Sequence, residues 1–237
     1  MASRVDGLTT RIGRGREGVV RAALSDLYFH SVPLVALNVL WGLGALAIVF
    51  AAITWSLVVV ALSPLLAIPA TATFRMAARI VRQDGDRSVG GALGTATSTV
   101  VGTILLGSAL GVAIVVLVSN AIIGLTGTEP FEWVLGTLAA WGLVTVWAGG
   151  LVALPLLVDP LRADRSIGDR TRLAAAVLLA NPRRFATLGL STAVFVVGSA
   201  VLTVVLLSTS LAIIALVSCR VVYPLADRMD PTASVPG

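Results

Sequence analysis

The most constraining feature of the sequence is a stretch of 42 residues, from Pro33 to Phe74, that carries no charge. One helix of that length would extend about 60 Å, twice the roughly 30 Å thickness of a bilayer's hydrocarbon core. The stretch therefore has to fold back, and the polar Thr54-Trp55-Ser56 is the expected turn because tryptophan favours membrane interfaces. It predicts two membrane-spanning helices, span 1 at residues 33–52 and span 2 at residues 56–79.

The composition agrees with a chain that lies largely in lipid. Hydrophobic residues make up 57% and charged residues 12% of the chain, whereas soluble domains are about 45–50% apolar and about 25% charged. So few charges cannot cover the surface of a soluble domain of 237 residues. The single cysteine, Cys219, excludes a disulfide-linked secreted scaffold, and the hydrophobicity excludes an intrinsically disordered chain.

A second uncharged stretch, residues 88–123, leads into span 3, which is predicted at residues 99–123. Gly124–Pro130 is a turn by composition, and span 4 is predicted at residues 132–157. Small residues recur four apart through the second stretch, and such residues let membrane helices approach closely. They are Gly90 and Gly94, Ser98 and Gly102, and Gly107 and Gly111. Span 3 is therefore expected to be the central packing helix.

A third uncharged stretch runs from Phe185 to Cys219, and the mostly apolar sequence continues to Leu225. This is too long for one span. The polar residues Ser208-Thr209-Ser210 are expected to form the break, which places spans 5 and 6 at residues 185–206 and 209–225. The sequence thus predicts an all-α membrane protein with six transmembrane helices arranged as three hairpins.

The arginines set the expected orientation. All 17 basic residues are arginines, and with six spans they fall on one side of the membrane, in residues 1–32, 75–98, 159–184 and 220–237. Basic residues favour the cytoplasmic side, so both termini are expected in the cytoplasm and the chain in the plasma membrane as a multi-pass protein. This topology signal explains the basic charge without a nucleic-acid partner. The arginine-rich face is expected to meet anionic lipid.

Three regions are expected along the chain. Residues 1–31 form a cytoplasmic arm, residues 32–226 the six-span membrane domain, and residues 227–237 a disordered cytoplasmic tail. In the arm, apolar residues recur on one helical face, at Val19, Val20, Ala23, Leu24, Leu27 and Tyr28. This pattern predicts a short amphipathic helix on the membrane surface; the alternative is an extended start of span 1.

Two proline blocks resemble each other. Pro64 to Pro69 lies in span 2, and Pro155 to Pro160 lies at the end of span 4. Proline kinks a membrane helix and frees carbonyl groups that neighbouring helices can satisfy. The blocks indicate either a repeated hairpin or a chance likeness in a biased composition. The candidate functional or packing residues are the prolines at the two ends of each block and four other residues: Pro64, Pro69, Pro155 and Pro160, with Asn38, Trp41, Asn181 and Pro182.

The residues that offer chemistry are few. His30 is the only histidine, and a metal site needs several convergent ligands, so no metal, cofactor or catalytic residue is predicted. The loop after span 4 contains alternating acids and arginines, which are expected to pair with each other: Asp159, Asp164 and Asp169 with Arg162, Arg165 and Arg170.

Polar and aromatic residues inside the spans are expected to hold helices together. Asn38 and Asn120 are expected to form interhelical hydrogen bonds rather than to contact a substrate. The tryptophans deep in the spans, Trp41, Trp141 and Trp147, are expected to pack between helices.

Three segments resemble the YesL-like family of bacterial membrane proteins. They are Leu37-Asn38-Val39-Leu40-Trp41, Ser63–Arg75, and Arg79-Ile80-Val81-Arg82 with the acidic Asp84-Gly85-Asp86 after it. The second proline block with Asn181-Pro182 is similar to a later loop of that family. The sequence departs from the family pattern in its longer stretch between Trp41 and Pro64, and in Val89-Gly90-Gly91-Ala92, which replaces an aromatic run. The resemblance implies an integral membrane protein with a domain of unknown function, often encoded beside carbohydrate importers. It supplies no catalytic residue.

Two functional hypotheses remain. The first is a non-enzymatic accessory or scaffold protein whose arginine-rich face binds anionic lipid, a protein partner or a second copy of the chain, with a link to carbohydrate uptake implied by the resemblance. The alternative is a small-solute permease or channel lined by the proline-kinked spans 2 and 4. A membrane enzyme is the least favoured hypothesis.

Overall fold

The computed structural model describes residues 16–54, 63–83, 88–98, 100–202 and 206–230, and every regular element in these ranges is helical. The α-helices are α1 (Arg16–Phe29), α2 (Ser31–Thr54), α3 (Ala67–Arg82), α4 (Val89–Ser98), α5 (Val100–Thr126), α6 (Pro130–Val158), α7 (Ile167–Ala180), α8 (Pro182–Val201) and α9 (Leu211–Met229). Short 3₁₀ turns, Ser63–Leu66 and Pro160–Arg162, precede α3 and α7, and a π-helical segment, Leu206–Ser210, leads into α9.

Three helices in these ranges are long and apolar enough to cross a membrane. They are Ala109–Thr126 within α5, Pro130–Val158, which is α6, and Ser208–Met229, which includes α9. Gly18–Phe29 and Ser31–Ala47 pass the same test as a pair, but they meet at an angle of 94°. The all-α expectation is confirmed for the described residues, which contain three or four candidate membrane spans.

The centre of the described fold is α9. It packs against α1, α3 and α6, and 61% of the residues in its apolar segment are buried. Small side chains make this packing close: Ala72 and Ala77 on α3 and Ala215 and Ala226 on α9 are fully buried. Alanine lets membrane helices approach closely, so α3 and α9 form the core that positions the polar residues at their ends.

The described part of span 3 is not the central packing helix. Residues Ala109–Thr126 of α5 are only 6% buried, and α5 packs mainly against α6. The side chains of residues 95–108, to which Ser98, Gly102 and Gly107 belong, lie outside the described ones. A Cβ added at Gly90 or Gly94 would have no neighbouring atom within 4 Å. The close approach lies instead at the far end of the hairpin, where a Cβ on Gly136 would lie 2.7 Å from the carbonyl carbon of Gly124.

The turn between α5 and α6 is fixed by local chemistry. Glu129 caps the start of α6, and its own amide donates to Glu132 Oε2 at 3.0 Å, which forms a capping box. Pro130 is the first helical residue, a position that needs no free N–H. The turn predicted at Gly124–Pro130 is present, although α5 continues through Gly124 to Thr126.

The boundary between α8 and the last helix differs from the expected one. The helix α8 ends at Val201, and Ser208-Thr209-Ser210 is part of the π-helical segment rather than a turn. Residues 203–205 lie outside the described ranges. Since no glycine or proline marks this region, the polar triplet is the only local signal, but hydroxyl side chains are tolerated in membrane helices.

Helix α1 carries an exposed apolar stripe. Val20, Leu24 and Tyr28 are exposed at successive helical turns, while Ala23 is fully buried against the core. The helix predicted in the arm is therefore present, and it has one apolar side against α9 and another that faces outward.

Candidate functional site

The most elaborate polar arrangement in the described residues is a group of four charged side chains at the ends of three helices, here called the ion-pair cluster. Arg82 is the last residue of α3, Asp159 follows α6, Arg162 ends the 3₁₀ turn, and Asp227 lies in the last turn of α9. Arg82 Nη1 lies 2.7 Å from Asp227 Oδ2, and Arg162 Nη2 lies 2.8 Å from Asp227 Oδ1. Two arginines and two aspartates make the cluster formally neutral.

Asp159 is the most enclosed member of the cluster, with a side chain that is 0% exposed. It accepts hydrogen bonds from Arg82 Nε at 3.2 Å and Arg82 Nη2 at 2.8 Å, and another from Arg162 Nη1. The backbone N–H of Leu161 donates a further bond at 3.2 Å. A buried carboxylate is very costly without such partners, so Asp159 requires both arginines to be in place.

The electrostatics of the cluster favour the charged forms of Asp227 and Arg82. Burial would raise the pKa of Asp227, but the hydrogen bonds from Arg82 and Arg162 outweigh it and hold this pKa below its ordinary value. Burial would lower the pKa of Arg82, but the bonds to Asp227 and Asp159 outweigh it and raise this pKa above its ordinary value. Asp227 and Arg82 therefore both stay charged at neutral pH.

Tyr223 connects the cluster to the second proline block. The guanidinium of Arg82 lies 4.2 Å from the centroid of the Tyr223 ring, within cation–π distance. The hydroxyl of Tyr223 donates to the carbonyl oxygen of Pro155 at 3.1 Å. Pro155 lies in the last turn of α6, where carbonyl groups have no partner within the helix. The tyrosine therefore satisfies one end carbonyl and covers the cluster.

Arg170 on α7 satisfies one more terminal carbonyl of α6 and two carbonyls of the segment that follows α6. Its Nη1 donates to the carbonyl oxygen of Leu157 at 2.6 Å, and its Nη2 donates to those of Ala163 at 2.5 Å and Arg165 at 2.9 Å. A positive charge at the C-terminal end of a helix is favourable because of the helix dipole. Arg170 thus fixes α7 across the end of α6.

Two further ion pairs surround the cluster. Arg165 Nη2 lies 2.9 Å from Asp230 Oδ1, just after α9. Arg220 Nε donates to Asp26 Oδ2 at 2.9 Å and so connects α9 to α1. Of the pairings expected within the loop, Asp159 with Arg162 is confirmed. Arg165 pairs with Asp230, which lies beyond the loop, and Arg170 donates to backbone carbonyls while the nearby carboxylates of Asp159 and Asp164 attract its charge.

Asn38 lies apart from the cluster, in the interior of α2. It is fully buried, and its Oδ1 accepts a hydrogen bond from the backbone N–H of Ala212 at 3.1 Å. Ala212 is the second residue of α9, two positions after the end of the π-helical segment, and a side chain that inserts into the backbone ladder is a recognised cause of such irregularity. Asn38 therefore makes the interhelical bond expected from its position.

The other polar and aromatic residues inside the spans behave differently. Asn120 donates to Val116 O at 2.7 Å within its own helix and is exposed, so the expected interhelical bond is absent there. Trp147 packs between helices and donates to Thr192 Oγ1 at 3.1 Å. Trp141 is 66% exposed, so the expectation that it packs between helices is wrong. Trp41 is half-buried.

The structure places the proline candidates at helix boundaries. Pro64 lies in the 3₁₀ turn before α3, and Pro69 lies in the first turn of α3, where its carbonyl accepts from Thr73 at 2.8 Å. Pro160 begins the second 3₁₀ turn, beside Asp159. Asn181 and Pro182 end α7 and begin α8. Of these candidates, Pro155 and Pro160 flank the ion-pair cluster.

Sequence reasoning missed the partners that complete the cluster. Arg82 and Asp227 are separated from Asp159 by 77 and 68 positions, and Asp227 falls within the tail that the sequence predicts to be disordered. Helix α9 continues to Met229, so the tail begins later than residue 227, and residues 231–237 lie outside the described ranges. The ion pairs of Asp227 and Asp230 explain why the last turn stays helical.

Among the described residues, no group of three or more histidine, cysteine, aspartate or glutamate side chains is placed to hold a metal ion. Comparisons of the chain with protein-family models, curated proteins and solved structures gave no match. The arguments about function therefore depend on the helices and on the ion-pair cluster alone.

Proposed function

We propose that the chain is a non-enzymatic scaffold or accessory protein of the plasma membrane, with six spans and both termini in the cytoplasm. Its arginine-rich end would contact anionic lipid or a protein partner. The observation that carries the proposal is the ion-pair cluster, because it joins the C-terminal ends of α3, α6 and α9 at one end of the molecule.

The polarity of α6 supports this orientation. Its 29 residues give a length of about 44 Å, enough to cross the hydrocarbon core with both ends outside it. Glu129 and Glu132 lie at its start, and Asp159 at its end meets two arginines. Basic residues favour the cytoplasmic side, which supports a cytoplasmic position for the end with the cluster.

The directions of the helices fit three hairpins. Helices α3, α6 and α9 occupy the predicted spans 2, 4 and 6, and all three end at the cluster. Helices α5 and α6 form an antiparallel hairpin around the close contact of Gly124 and Gly136. Helices α2 and α8 occupy the positions of spans 1 and 5. A six-span scheme requires consecutive helices that cross the membrane in alternating directions.

The outward stripe of α1 supports a position at the membrane surface. Tyr28 and Phe29 are 78% and 76% exposed, and the chain turns by 94° between α1 and α2. A helix that lies in the interface presents apolar side chains to the acyl boundary. The pair of Arg220 with Asp26 holds this helix against α9.

The cluster and its surroundings favour a scaffold over a permease. Alternating access requires helix ends that separate, whereas here three helix ends share buried charges. The carbonyl of Pro155 is bonded to Tyr223, so the second proline block helps to hold this end together. The link to carbohydrate uptake depends only on the resemblance to the YesL-like family.

Co-purification from membranes in a mild detergent tests the proposal. We expect the protein to retain a protein partner or anionic phospholipid, and we expect the retained amount to fall when Arg183, Arg184 and Arg228 are all replaced by glutamine. These side chains are exposed at the basic end. Thr128→Glu, at the opposite end, is the control and should change nothing.

Two results would contradict the scaffold. One is a monomer that retains neither partner nor anionic lipid. The other is solute flux through proteoliposomes above the rate of empty liposomes, which would favour the permease.

A further inference from the structure

A cleft of about 390 Å³ lies between α7 and the C-terminal end of α9. Its polar wall contains four guanidinium groups and two carboxylates, from Arg162, Arg165, Arg170, Arg172, Asp169 and Asp230. Leu173, Ala176 and Met229 form the apolar part of the wall. The cleft therefore combines a surplus of positive side chains with an apolar surface.

Two arginines of the cleft have donors that the described residues do not use. Arg172 is exposed, and its side chain makes no hydrogen bond or ion pair with the part of the chain that the structure describes. Arg162 is 1% exposed, and its buried Nε has no hydrogen-bond partner among the described residues; Asp230 Oδ2 lies 3.8 Å from it. A buried donor without a partner is costly, so the cleft has unsatisfied hydrogen-bonding capacity for an anion.

The cleft changes from polar to apolar along α7. Asp169, Arg172 and Ala176 lie on one face of this helix at three- and four-residue spacing. Leu179, three residues further on that face, is 78% exposed. A ligand that fits this arrangement has an anionic group at one end and an apolar chain at the other.

We infer that this cleft binds the phosphate group of an anionic glycerophospholipid, with Arg172 donating to the phosphate oxygens and Leu173, Ala176 and Met229 contacting the glycerol and the first methylene groups. Basic pockets between membrane helices on the cytoplasmic side bind lipid headgroups in this way. Guanidinium groups suit phosphate because two parallel N–H groups meet two oxygens. The inference rests on the proposed function only for the side of the membrane on which the cleft lies.

Native mass spectrometry of the delipidated full-length protein in detergent tests the inference. Phosphatidylglycerol is titrated against phosphatidylcholine as the neutral reference, and the same titration is repeated with inorganic phosphate and glycerol phosphate. Arg172→Gln removes one cleft charge, and Arg21→Gln is the matched control, because it removes one exposed charge from α1 outside the cleft.

We expect wild-type protein to prefer phosphatidylglycerol and Arg172→Gln to weaken this binding about tenfold, the equivalent of one charge-assisted hydrogen bond. Arg21→Gln should change it less than about twofold. Ala176→Phe, which fills the apolar part of the cleft, should also weaken it.

Three results would overturn the inference. Equal losses in Arg172→Gln and Arg21→Gln would show diffuse attraction by the whole basic face, which leaves the proposed scaffold intact. Equal affinity for inorganic phosphate and phosphatidylglycerol would assign the cleft to a soluble anion. Unchanged binding in Ala176→Phe would place the lipid elsewhere.

Discussion

Replacing Arg162 with methionine tests how much the ion-pair cluster stabilises the fold. The Arg162 side chain is 1% exposed and contacts Asp159 and Asp227, whose side chains are 0% and 24% exposed. Removing one partner of a buried ion pair costs about 3–5 kcal/mol, because the other charge stays buried. Arg82 still donates to both aspartates, so we expect the lower end of this range, about 3 kcal/mol.

The cluster also predicts how a second substitution behaves. Asp159→Asn alone leaves two arginines to share Asp227, so we expect a similar loss of about 3 kcal/mol. The double variant, Arg162→Met with Asp159→Asn, removes one charge of each sign and leaves the pair of Arg82 and Asp227. We therefore expect the double variant to lose at least about 1 kcal/mol less than the sum of the single losses.

The assay measures Tm by thermal unfolding of the purified protein in one detergent, and size-exclusion chromatography monitors the loss of folded protein. About 3 kcal/mol corresponds to a fall in Tm of roughly 6–12 °C for a chain of this size. Arg165→Gln is the control, because its side chain is 44% exposed and such surface pairs contribute less than about 1 kcal/mol. Two results would show that the cluster does not stabilise the fold in this way. One is a Tm of Arg162→Met within about 2 °C of the wild-type Tm, and the other is a double variant whose loss of stability equals the sum of the single losses.

Three further outcomes follow from named contacts, and each is measured in the same unfolding assay. Asn38→Leu leaves a buried backbone amide of the last helix unsatisfied and should lower the free energy of unfolding by about 1–3 kcal/mol. Asn120→Leu removes a hydrogen bond within one exposed helix and should lower it by less than about 0.5 kcal/mol. Equal losses of stability in the two variants would contradict the interhelical role of Asn38. Gly124→Ala should destabilise the hairpin by about 1–3 kcal/mol, because the added methyl group meets the backbone of α6. Gly90→Ala should not destabilise the protein, because its methyl group meets open space. A Gly124→Ala variant as stable as wild type would disprove the close approach of α5 and α6. Because the pKa of Asp227 is lowered, the stabilisation from this carboxylate is complete above the ordinary carboxyl pKa near 4 and is lost as the pH falls through the lowered pKa. We therefore expect Tm to start to fall only below about pH 4, and to fall less in Asp227→Asn. A fall in Tm that begins near pH 6 would argue against this effect of Asp227.

Much of the helical pattern is accessible from the sequence because uncharged length and turn composition are local signals. The capped start of α6 at Glu129-Pro130 and the junction at Asn181-Pro182 are marked by such residues. The boundary before the last helix is not, because the region from Leu202 to Ser210 has no glycine or proline. A π-helical segment has no distinct sequence signal there.

The candidate site is only half predictable, for a physical reason. Asp159 and Arg162 are three residues apart, so local spacing brings them together. Their partners Arg82 and Asp227 come from other helices, and which loops meet depends on how the helices pack. The same dependence explains why Trp141 is exposed and Trp147 is not.

Cysteine accessibility shows on which side of the membrane the arginine-rich helix ends lie. Cys219 is buried and is replaced by alanine; single cysteines are then introduced at Thr128, in the turn between α5 and α6, and at Ala175, on the exposed side of α7. We expect a membrane-impermeant maleimide to label Thr128→Cys in intact cells and Ala175→Cys only after permeabilisation. If Ala175→Cys is labelled in intact cells and Thr128→Cys is protected, the arginine-rich end lies outside the cell, which would contradict its proposed cytoplasmic position.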